Sequence, residues 1–205
     1  EVTLTAPDGR AVASQTAKLF GTIARLVLDA GKVQPWSAEI PALYGVTVTL
    51  KDPAGKTIEI IPLQAGFREV KIEGGQLLVN GQPVLIKGAN RHEMDPDGGY
   101  VVSEERMIED IRILKENNFN AVRTCHYPDD ARWYALCDRY GLYLVAEANL
   151  ESHGMGYDEK TLAKNPAFAQ AHLERNIRNV RRNINHPSVI AWSLGNEAGD
   201  GPNFD

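Results

Sequence analysis

Two cysteines, Cys125 and Cys137, are too few for a disulfide framework in a 205-residue chain. No apolar run approaches the ~18 residues a membrane-spanning helix needs. No excess of positive charge is present either. Lys and Arg number 22 against 27 Asp and Glu, and a net charge of -5 gives no electrostatic reason to bind nucleic acid or an anionic membrane. No targeting segment is recognisable, and Glu1 is not a natural start. Cytoplasm and periplasm both stay open. What is there, 43% hydrophobic and 24% charged residues, is ordinary globular material.

Residues 1–75 read as all-β. Val46–Leu50 and Thr57–Ile60 alternate apolar and polar, the sign of half-buried strands, around turn chemistry at Asp52-Pro53-Ala54-Gly55. This predicts an immunoglobulin-like β-sandwich segment. Leu77–Val79, Asn80-Gly81 and Pro83–Ile86 form a hairpin signal, because Asn-Gly tolerates the positive φ of a type I′ turn.

From residue 76 the pattern becomes strand, loop, helix, repeated. Predicted strands are Val84–Lys87, Ala121–Arg123, Leu142–Val145 and Val189–Leu194, the last buried on both faces with Trp192 in the core. Ser103 caps a helix carrying Met107, Ile111 and Leu114 on one face. Asp129 or Asp130 caps a second, with Trp133, Leu136, Cys137 and Tyr140 in a stripe and Gly141 at its end. Asn165-Pro166 opens a third, with Leu173, Ile177, Val180 and Ile184 toward the core. Such alternation predicts a parallel sheet. A whole (β/α)₈ barrel takes ~250 residues, so residues 76–205 fit its N-terminal half, in a piece of a larger protein.

Each predicted strand ends in polar residues: Asn90, Arg91 and His92; Arg123, His126 and Tyr127; Glu147, Asn149, Glu151 and His153; Asn196 and Glu197. Four polar strand ends on one rim make a site. Glu197, at the mouth of a low-dielectric core beside Asn196, is placed to donate a proton. Arg123 is expected to hold an anionic partner or a carboxylate, a structural ion pair being the commoner fate of such a group. His92 and His126 are suited to sugar hydroxyls or general-base work. Glu147, Asn149, Glu151 and His153 have period 2, and an extended backbone projects all four to one side. Glu151, His153 and Glu197 then offer two carboxylates and an imidazole, a donor set for magnesium or manganese. Cys125 beside His126 invites a nucleophilic dyad, which the opposite facing of neighbouring strand residues disfavours. Trp36 is assigned to the sandwich; His172 and His186 read as structural.

These residues resemble the β-galactosidase family of glycoside hydrolases, shared with β-glucuronidases and β-mannosidases. Trp36–Pro41, Gly66-Phe67-Arg68, Asn90–Glu93, Asn120–Pro128 and Asn185–Glu197 carry the resemblance, in order and along nearly the whole chain. It implies a retaining mechanism in which Glu197 is the acid/base and a nucleophile ~5–5.5 Å away comes from a later strand, beyond Asp205. It also implies magnesium held by Glu151, His153 and Glu197, and sugar binding or nucleophile positioning by His92, Arg123, His126 and Asn196. A β-galactoside such as lactose is the implied substrate, and a homo-oligomer is expected of the full-length protein. Glu151–Met155 favours the galactosidase branch. A β-glucuronidase, a β-mannosidase and a non-catalytic carbohydrate-binding remnant are the alternatives, and the 205 residues alone are expected to be inactive.

Overall fold

A computed structural model describes residues 1–205. Strands β1 (Val2–Thr5), β2 (Ala11–Gln15), β3 (Tyr44–Lys51) and β4 (Thr57–Ala65) form an antiparallel sheet in the order β2-β1-β3-β4. Leu4, Ala6 and Tyr44 make its small core, with Leu28, Val33 and Phe67 packed on them. This is the sandwich segment the sequence predicts. Along β4, however, Ile58 and Ile60 are exposed rather than half-buried. β4 is an edge strand, paired on one side only, and alternation cannot tell whether a facing layer is present.

A second sheet, β5 (Val70–Glu73), β6 (Gln76–Val79) and β7 (Gln82–Pro83), contains the expected hairpin. Asn80 and Gly81 take φ of 52° and 75°, as the Asn-Gly signal requires. The residue 75/76 division lies in the turn between β5 and β6.

The third sheet is parallel: β8 (Gly88–Arg91), β9 (Ala121–Thr124), β10 (Tyr143–Glu147) and β11 (Val189–Ser193), in sequential order from β8 to β11. It is the first half of a barrel wall. Helices α1 (Glu104–Glu116), α2 (Ala131–Tyr140) and α3 (Ala169–Asn183) supply the crossovers. The first two start where their sequence signals lie, and the second also stops at its signal. Ser103 accepts from the Arg106 N–H, Asp130 from that of Arg132, and Gly141 ends α2 at φ 78°. A Cβ there would lie 2.2 Å from the Ala38 carbonyl, so glycine is required. The main core joins α1 and α2 to the sheet through Met107, Ile111, Trp133, Leu136, Cys137, Leu142 and Leu144.

Several expectations change. The first barrel strand is Gly88–Arg91, not Val84–Lys87. Asn120 ties down the earlier stretch, accepting from the Lys87 N–H at 2.8 Å and donating to the Leu85 carbonyl at 2.9 Å. Proper α-helix begins at Ala169, after two 3₁₀ turns, although Asn165 does cap the second of them. Leu173, Ile177 and Ile184 face solvent, and α3 instead buries His172, Asn179 and Asn183. Asn179 donates to the Ala146 carbonyl and Asn183 to Asn179, so polar groups line that helix–sheet contact. Trp192 is 39% exposed, because β11 is the outer strand of an open sheet.

Trp36 sits at the junction rather than within the sandwich. It is fully buried, meets Tyr143 edge-on at 5.9 Å, and donates from Nε1 to the Asp138 carbonyl at 2.8 Å. Arg68 reaches from the same side to the Pro187 carbonyl at 2.6 Å. Asp138 accepts from His186 Nδ1 at 2.6 Å and from the Ser188 N–H, consistent with the structural reading of His186.

Arg91 leaves the rim altogether. Buried between sheet and helices, it stacks 3.9 Å from the Trp133 ring centroid and faces Asp129 at 2.7 Å, Asp110 at 3.0 Å and Glu93 at 3.9 Å. One guanidinium cannot compensate three carboxylates. Burial, with Glu93 adding to it and Arg91 opposing, pushes Asp129 up from the ordinary 3.8 to about 7. The unfolded chain releases this proton near pH 4, while the folded chain keeps it until about pH 7. The folded state therefore binds more protons in that window, and stability falls as pH rises through it, by up to about 1.4 kcal/mol per pH unit. Urea unfolding between pH 4 and 8 should show this slope in the wild type and lose most of it in Asp129→Asn; equal slopes would refute the assignment.

Candidate active site

The carboxyl ends of the parallel strands place the site. Register sets Asn90 opposite Arg123 between β8 and β9, and Glu147 opposite Ser193 between β10 and β11. Arg123 grips Glu147 with two hydrogen bonds, Nε to Oε2 at 2.6 Å and Nη2 to Oε1 at 2.9 Å. Glu147 is fully buried and needs this cation. Ser193 donates to Glu147 Oε2 at 2.6 Å, and the Glu147 N–H donates to Thr124 Oγ1 at 3.0 Å.

Arg123 also gathers the neighbouring strand ends. Its Nη2 donates to Asn196 Oδ1 at 2.8 Å and its Nη1 to Asn90 Oδ1 at 3.3 Å. Both Nη2 hydrogens are thereby committed, to Glu147 and to Asn196. None remains for His126, whose Nδ1 lies 3.3 Å from Nη2 and 3.1 Å from Glu147 Oε1. A carboxylate only accepts, so His126 carries its proton on Nδ1 and donates it to Glu147.

A bridge between Glu151 and Asn196 prolongs the β10–β11 pairing past both strand ends. The Asn196 N–H donates to the Leu150 carbonyl at 2.8 Å. Gly195 packs so close to that carbonyl that a Cβ would sit 2.5 Å from it. This turn delivers Glu197 at φ 42°, with its side chain half exposed at the rim. Glu197 Oε2 accepts from Tyr157 at 3.0 Å, and His153 Nδ1 lies 2.6 Å from that carboxylate oxygen while hydrogen-bonding Tyr157 Oη, also at 2.6 Å. Desolvation and the Glu197 carboxylate push the Tyr157 phenol up, so it stays a donor.

The sequence-derived residues therefore divide. Asn90, Arg123, His126, Asn196 and Glu197 share the rim, and His92 joins them with its ring 5.1 Å from that of His126. The period-2 expectation for Glu147, Asn149, Glu151 and His153 fails. β10 ends at Glu147, and a 3₁₀ turn begins at His153. Glu147 points inward, while the Asn149 carbonyl accepts from Arg175 at 3.1 Å. The argument against a Cys125–His126 pair also fails. β9 ends at Thr124, so strand alternation does not govern the two. Their donor atoms lie within 4.8 Å of each other and of His92.

For magnesium, the donor chemistry of Glu151, His153 and Glu197 fits a hard cation. His153 and Glu197 already meet. Glu151 stands off, its Oε2 accepting from Asn196 Nδ2 at 2.7 Å, and the three do not gather within 4.8 Å. The backbone bridge pairs Glu151 with Asn196, the residue before Glu197. Ser193 and Tyr157 were not singled out from sequence. Tyr157, four residues after His153, was the more legible of the two.

Fold and rim together define an enzyme-type α/β barrel segment preceded by β domains. The family model described as glycosyl hydrolases family 2, TIM barrel domain, matches residues 70–205, and that described as glycosyl hydrolases family 2 matches residues 1–68. The chain belongs to glycosyl hydrolases family 2. It is 51% identical over 178 residues to a β-galactosidase of Alteromonas mediterranea, covering 87% of this chain and 17% of that protein. It superposes on the β-glucuronidase of Ruminococcus gnavus with D-glucuronic acid at TM-score 0.79 and 29% identity, over 95% of this chain and 31% of that one. The same enzyme without ligand gives 0.79 and 30%, over the same shares. The chain thus spans under a third of the length of these relatives.

Removing Arg123 strands a buried carboxylate, which typically costs about 3–5 kcal/mol. Arg123→Met should lower stability on that scale, and Arg123→Met with Glu147→Gln should recover much of the loss in thermal unfolding. Additive losses would show that the two side chains do not act as a pair.

Proposed function

We propose that the chain supplies the acid/base half of the active site of a retaining β-galactosidase. The observation that carries this reading is Glu197, set on the rim by the Gly195 turn with donors on one side and solvent on the other. Glu197 would protonate the departing glycosidic oxygen and then deprotonate the attacking water. Arg123 and Asn196 fix the floor beneath it, while His92 and His126 face the space a sugar ring would occupy. The galactoside preference is supported by the 51% identity to the Alteromonas enzyme, against 28–30% to the β-glucuronidase structures. A β-glucuronide is the competing substrate.

Catalysis needs a second carboxylate ~5–5.5 Å from the first. Within these residues Glu147 is committed to Arg123, Ser193 and His126, and Glu151 to Asn196. The 205-residue chain alone is therefore inactive, and turnover of nitrophenyl β-galactoside by the purified chain would overturn this. In a full-length protein containing these residues, Glu197→Gln should slow hydrolysis by about 10²–10⁴-fold. The loss should be larger for lactose than for a nitrophenyl galactoside, whose leaving group needs less protonation. Equal losses would remove Glu197 as the acid, and a higher kcat/KM on the matching glucuronide would reassign the substrate.

Magnesium, when bound, would be held by Glu151, His153 and Glu197 and would fix the Glu197 carboxylate electrostatically. Calorimetric titration with Mg²⁺ should give binding heat for the wild type and none for Glu151→Gln. Equal heats from the two would exclude this ligand set.

A further inference from the structure

His92, Cys125 and His126 bring three donor atoms within 4.8 Å of one another at the rim. His92 is exposed, His126 half-buried and Cys125 buried, so the cluster opens to solvent on one side and is walled on the other. We propose that these three side chains form a second cation site, selective for zinc-like ions, distinct from the Glu151, His153 and Glu197 set. One thiolate and two imidazoles suit Zn²⁺ and leave a fourth position open for water; magnesium prefers oxygen ligands.

Two observations support this beyond proximity. His126 donates its Nδ1 proton to Glu147, which leaves Nε2 with a free lone pair. A carboxylate behind a ligating imidazole is the usual outer partner of a metal-binding histidine, fixing its tautomer and raising its basicity. The nearby Arg123 charge, which would repel a cation, is neutralised by its two bonds to Glu147. Zinc bonds of ~2.0–2.3 Å place tetrahedral donors about 3.3–3.6 Å apart, inside the 4.8 Å within which the three donor atoms lie. The site shares His92 and His126 with the proposed sugar-binding face, so an ion and a sugar ring would compete for these two side chains.

Co²⁺ titration of the reduced 205-residue chain tests it. The expected result is a near-ultraviolet thiolate-to-cobalt charge-transfer band that Zn²⁺ abolishes and excess Mg²⁺ does not. Cys125→Ser should remove the band. His92→Ala, at an exposed position that spares the fold, should weaken Zn²⁺ binding by more than about tenfold, since even losing an outer partner of a ligating imidazole costs that much. Absence of the band, its survival in Cys125→Ser, unchanged affinity in His92→Ala, or displacement by Mg²⁺ would each overturn the proposal.

Discussion

The buried Glu147 carboxylate is the constraint on which the rim depends. A charge with no exposure at the end of a parallel strand is tolerable only if fully paired. Arg123 from β9, Ser193 from β11 and His126 from the loop after β9 meet that demand. In doing so they fix three consecutive chain segments relative to one another. Asn196 is the second link, accepting from Arg123 and donating to Glu151. Glu197 inherits its position from this network.

The network also separates roles among similar groups. Glu147 and Glu197 are both strand-end carboxylates. One is turned inward and saturated with donors, and the other is half exposed and reachable. Arg91 and Arg123 are likewise both strand-end arginines. Arg91 faces the helices and shares three carboxylates against Trp133, whereas Arg123 faces the barrel interior. Such a division follows from strand alternation at β8 and β9, where one residue of register decides between core and rim.

The junction between the β segment and the barrel has its own logic. Trp36 and Arg68 spend their polar atoms on backbone carbonyls near Asp138 and Pro187, while Gly66 allows Pro187 to pack where a side chain would clash. The base of the barrel wall is thereby tied to the preceding domain, and the opposite, carboxyl-end rim is left free for chemistry.

Local signals in the sequence determined the caps at Ser103 and Gly141, narrowed the second helix's N-cap to Asp129 or Asp130, and determined the Asn80-Gly81 turn, the strand–helix alternation, and a polar group at the end of every barrel strand. These depend on backbone preferences a few residues long, which neighbouring residues alone express. Tertiary structure decided the facing. It turned Arg91 away from the rim and put Asn179 rather than Leu173 against the sheet. It held Glu151 apart from the His153–Glu197 pair, and it brought His92 to Cys125 and His126. Each of those outcomes rests on contacts between residues distant in the chain, whose register and burial no local pattern records.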